Sequence, residues 1–63
     1  MIDRNEVIEL WHIARTALQG TQYDPNNRFD RMQYVKREYL KAHKEYAGSM
    51  KALWLTIEQY TKL

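Results

Sequence analysis

Two histidines, a single serine and a stripe of basic residues are the groups with chemistry to offer in this 63-residue chain. Glu9 and His12 stand three apart, the Glu-x-x-His spacing of carboxylate-bridged two-metal sites in helical bundles. On a helix both lie opposite the apolar stripe and point to solvent. One such pair per chain is also too few ligands, so neither a metal nor another cofactor is expected. His43 falls between Tyr39 and Tyr46 on the edge of an apolar seam. An imidazole there reads as a hydrogen-bonded boundary residue rather than a ligand or a switch. Ser49 has no histidine or acid placed by sequence to activate it as a nucleophile. Glycine-rich phosphate loops are absent. No catalytic residue, and no enzymatic activity, is expected.

The basic residues allow a different function. Arg37, Lys41, Lys44 and Lys51 share about 80° of arc at 100° per residue of helix. Residues 28–51 hold seven Lys/Arg against three Asp/Glu, a local net charge of +4. Such a stripe can contact phosphates, with Tyr34 beside it as a stacking ring. As a plain solvated face it is softened by Glu38 and Glu45, each one turn from Lys41. Nucleic-acid binding through these four residues is the alternative function.

The elements that position these groups are helical. Two glycines and one proline are too few for an all-β fold with its many turns. Asp3 reads as an N-cap with Glu6 in the capping-box position, and Ile2 and Val7 are spaced for a hydrophobic staple. The first helix is expected over about residues 4–19, with Val7, Leu10, Trp11, Ala14, Ala17 and Leu18 on one stripe. Gly20 then suits a left-handed C-terminal position. A loop follows over 20–27, where Asp24 caps the next helix ahead of Pro25, with Asn27 as the alternative cap.

From about residue 26 to 61 the seam Met32, Val35, Tyr39, Ala42, Tyr46, Met50, Leu53, Ile57, Tyr60 keeps steps of 3 or 4. Its phase does not slip at Gly48-Ser49, so one long helix of about 54 Å is expected, at 1.5 Å per residue. The competing reading ends that helix at Gly48 and starts a short third one with Ser49 as N-cap.

The fold expected is therefore all-α: a hairpin with a short first helix and a long second helix, forming one domain over residues 1–63. A domain this small buries only about 60% of the surface its unfolded chain exposes. There is no cysteine to staple it. The far half of the long helix carries Met50, Leu53, Trp54, Leu55, Ile57, Tyr60 and Leu63 with no partner inside the hairpin. A second copy would cover them, giving a C2 helical bundle. Trp11, Tyr46, Met50, Leu53, Trp54, Ile57 and Tyr60 are the expected dimer or partner interface, since aromatic residues dominate such contacts.

Net charge is +2 and the sequence pI about 9.0, mildly basic. The opening Met1–Glu6 lacks the apolar region of a signal peptide. Apolar runs such as Leu53-Trp54-Leu55 fall far short of the roughly 20 residues of a membrane span. A cytoplasmic chain that does not enter a membrane is expected. Its length, its Gly20–Asn27 loop between two helices, its aromatic content and its lack of cysteine resemble the small helical accessory proteins of lambdoid bacteriophage early regions. That resemblance implies a regulatory protein that binds a host or phage protein. It carries no functional residue across, because no specific motif underlies it.

Overall fold

Asp3 starts the first helix through its carboxylate, whose Oδ1 accepts from the backbone N–H of Asn5 at 2.9 Å and of Glu6 at 3.3 Å. Helix α1 spans Arg4–Ala17 in the computed structural model, which describes residues 1–62. It ends two residues short of the expected stop, with Leu18 as C-cap. Gly20 has φ +76°, a conformation that glycine alone adopts without cost.

The loop to the second helix is tied by its own side chains. Thr21 Oγ1 donates to the Leu18 carbonyl at 2.6 Å, and the Asn26 N–H reaches Asp24 Oδ1 at 2.9 Å. Asp24 is thus spent on a turn and does not cap the helix. Asn27 does so, accepting from the Asp30 N–H at 3.0 Å. Helix α2 spans Arg28–Ala42. Pro25 lies in the turn before it rather than in its first turn.

The long second helix does not form. Helix α2 gives way at His43, and a third helix, α3, spans Met50–Tyr60. Ser49 caps it, its Oγ accepting from the Ala52 N–H at 3.0 Å. Over the break, Tyr46 folds back so that its hydroxyl donates to the Ser49 carbonyl at 3.0 Å. A Cβ on Gly48 would lie 2.6 Å from Tyr46 Cζ, so a side chain there would push the Tyr46 ring from this place.

The physical reason for the break is local and tertiary together. α2 stops at His43, five residues before Gly48, so the glycine does not end it as the competing reading expected, while Ser49 lowers the cost of starting α3. Folding back then buries Leu53 and Ile57 within the same molecule, without the entropy lost on associating with another, and leaves Met50 and Leu55 exposed.

The three helices run up, down and up. Arg31 Nη2 at the start of α2 donates to the Trp11 carbonyl in α1 at 2.7 Å. Arg28 Nη1 and Nη2 reach the carbonyls of Thr61 and Glu58 at the end of α3, at 3.2 and 3.0 Å. One core unites the bundle: Val7, Trp11, Ala14 and Leu18 from α1 and its cap, Met32, Val35 and Tyr39 from α2, and Leu53 and Ile57 from α3. The longest dimension is 32 Å, well short of the expected rod. Leu53 and Ile57, expected to need a second copy, have no exposed surface at all. Leu63, named with them, lies outside the described residues. Among the described residues, no helix is long and apolar enough to cross a membrane.

Candidate partner-binding surface

The residues expected at an interface separate into two groups. Trp11, Leu53 and Ile57 are buried and build the chain's own core instead of a surface. Two guanidinium groups lie over the Trp11 ring, with Arg31 Cζ 3.9 Å and Arg28 Cζ 5.1 Å from its centroid. Burial, and after it the charges of Arg15 and Arg28, holds the Arg31 guanidinium below its ordinary pKa. Tyr46, Trp54 and Tyr60 are half-buried against the core, and Met50 is exposed.

The basic stripe is divided by the same break that divides the helix. Arg37 and Lys41 lie on α2, Lys44 in the crossing between helices, and Lys51 on α3, so no single helical arc joins them. Lys41 pairs with Glu38 at 3.1 Å on its own helix. Glu9 and His12 are exposed on α1, and no cluster of three metal-ligating side chains occurs among the described residues.

A different set of residues forms the most distinctive surface. The loop and the first turns of α2 enclose a hollow of about 290 Å³ lined by Tyr23, Phe29, Asp30, Gln33 and Arg37. Phe29 is 58% exposed and Tyr23 39%, unusual for two large rings side by side on so small a chain. Phe29 rests on Trp54 of α3, ring centroids 5.2 Å apart and tilted by 57°. Arg37 stands over the Tyr23 ring at 5.7 Å. Beside the hollow, Asp30 Oδ2 accepts from the Asp24 N–H at 2.9 Å, fastening the loop to the helix.

Phe29 and Tyr23 both lie off the 3–4 apolar seam of the sequence. The loop position of Tyr23 carried no periodic signal, and its meeting with Arg37 depends on how the loop folds back. Comparison with family models, with curated proteins and with solved structures gives no match to this chain.

Proposed function

We propose that this chain is a non-enzymatic protein-binding module whose Tyr23–Phe29–Arg37 surface receives a short acidic segment of a partner protein. One observation carries the proposal: two exposed aromatic rings and a guanidinium converge on a preformed hollow that the fold does not fill. Aromatic residues and arginine are the usual anchors of binding hot spots. The partner offers a large apolar side chain to the hollow and a carboxylate to Arg37. The net charge of +4 over residues 28–51 favours an acidic partner over a basic one. A regulatory role, of the kind that the phage resemblance implies, is the biological setting we infer.

The nucleic-acid alternative through Arg37, Lys41, Lys44 and Lys51 has less support, because those four residues now occupy three separate stretches of backbone. Homodimer formation loses part of its motivation, since Leu53 and Ile57 are covered within the chain, whereas Met50 and Leu55 stay half exposed on α3.

Titration of the labelled protein with synthetic peptides tests the proposal. The peptides carry one aromatic residue flanked by Glu, by Gln or by Lys. The Glu series is expected to bind tightest and to shift the amides of Tyr23, Phe29, Gln33 and Arg37. Phe29→Ala is expected to weaken binding about tenfold, the effect of losing about 1.4 kcal/mol. Tighter binding of an oligonucleotide, weakening steeply with salt, would overturn the proposal in favour of phosphate contact. Amide shifts confined to α1 would place the partner elsewhere.

A further inference from the structure

At the opposite end of α2, both ring nitrogens of His43 face carboxylates. Nε2 stands 2.7 Å from Glu6 Oε1 on α1, and Nδ1 stands 3.2 Å from Glu45 Oε2 in the crossing. A neutral imidazole has one N–H and one bare lone pair. Whichever nitrogen holds the proton, a neutral ring presents its lone pair to one of two carboxylates. Only the imidazolium donates to both. We propose that His43 is a proton-operated clasp: charged, it ties α1 to the α2–α3 crossing through Glu6 and Glu45, and neutral, it lets the crossing go.

The surroundings make the clasp specific. His43 is the C-cap of α2, with φ −125° and ψ 68°, so its backbone turns the chain out of the helix where its ring reaches across to α1. The ring stacks on Tyr39, centroids 4.2 Å apart and planes 23° from parallel. It forms one wall of a cleft of about 350 Å³ shared with Met1, Ile2, Tyr39, Glu45, Tyr46 and Gly48. The charged and titratable groups around it are Glu6 and Asp3 from α1 and its cap, the Tyr39 phenol from α2, and Glu45 and the Tyr46 phenol from the crossing. Met1, with its amino group, stands at the rim. No lysine or arginine lines the cleft among the described residues.

The hydrogen bond that His43 donates to Glu6, with a lesser one to Glu45, raises its pKa above the ordinary value of 6.5 against the opposing effect of burial. The Glu45 carboxyl is held below its ordinary value, first by its own backbone N–H and then by His43.

Which side releases follows from geometry. The Glu6 contact is the shorter, and its side chain is 30% exposed, whereas that of Glu45 is 76% exposed. A neutral ring keeps its single proton on Nε2 toward Glu6 and turns a lone pair toward Glu45, which swings into water. The freed stretch leads directly into Tyr46, Gly48 and Ser49, the residues that start α3.

A nitrogen-detected NMR titration of the His43 ring, followed together with the amides of residues 43–48, tests the clasp. Both ring nitrogens are expected to be protonated on the acid side of the transition. The midpoint is expected above that of the same residue in the urea-unfolded chain, and the Glu45 and Tyr46 amides should move with it. Glu6→Gln is expected to lower the midpoint more than Glu45→Gln. Glu45→Gln should also abolish the pH response of the crossing amides. A midpoint at or below the unfolded value, or crossing amides that ignore the ionisation of His43, would overturn the proposal. Should Glu6→Gln disturb the fold, the wild-type ring nitrogens and the exposed Glu45→Gln variant still decide the matter.

Discussion

Leu53 and Phe29 show how burial, and not residue type, sorts apolar side chains into structure and surface. Leu53 has no exposed area and touches the one core of the molecule, while Phe29 is 58% exposed. Leu53→Ala is therefore expected to cost about 2–5 kcal/mol, the range for large-to-small changes in a packed core. Phe29→Ala is expected to stay within about 0.5 kcal/mol, as surface changes do. Urea unfolding of the two variants checks the pair, and the contrast fails if both lose stability alike. Leu53 lies on the apolar seam of the sequence and Phe29 off it, but the seam does not say what covers either one. What separated them was the direction of the third helix, which neither residue encodes alone. His43 likewise falls at a boundary of the apolar seam, and its partnership with Glu6 spans 37 positions that no local pattern connects.

Helix boundaries are set by side chains that compete for backbone N–H groups, and these were the most legible features. Asp3, Gly20 and Ser49 act where their types predict, because each device works within four residues of itself. Two others were not decided by type. Asp24 and Asn27 are both good caps, and only the turn at Asn26 shows that Asp24 is already engaged.

The continuous 3–4 seam misled for a related reason. A helix that breaks and folds back can keep its apolar positions facing the same core, so unbroken phase does not prove an unbroken rod. Replacing Ser49 with Ala is expected to cost about 1 kcal/mol by thermal or urea unfolding, the usual loss for an N-cap. Gly48→Ala should also destabilise, because the Tyr46 ring occupies the space a Cβ needs. Combining Gly48→Ala with Tyr46→Ala should recover part of that loss. An additive double variant would refute the steric cause.

As a whole the molecule is a three-helix bundle with a Cα radius of gyration of 11.1 Å. Solution scattering is expected to give a value near this. An extended hairpin paired with a second copy would give a much larger one, with the mass of two chains. The stability of the bundle should also depend on pH through its two coupled groups. The contribution of His43 is complete below its unfolded value of 6.5 and is lost as pH rises through its raised folded value. That of Glu45 is complete above 4.5 and is lost as pH falls through its lowered folded value. Urea midpoints are therefore expected to be highest between these limits, and His43→Gln should flatten the alkaline side.

The two tryptophans occupy sites of opposite character. Trp11 is buried with the guanidinium groups of Arg31 and Arg28 over its ring, and Trp54 is half-buried beneath Phe29. Each indole therefore emits from its own dielectric surroundings, one dry and cationic, the other open to whatever settles on Phe29. Light from Trp54 alone, isolated in a Trp11→Phe variant, is an intrinsic optical gauge of occupancy at that surface. Light from Trp11 alone follows the integrity of the interior, so docking and unfolding are distinguishable by colour with no attached dye.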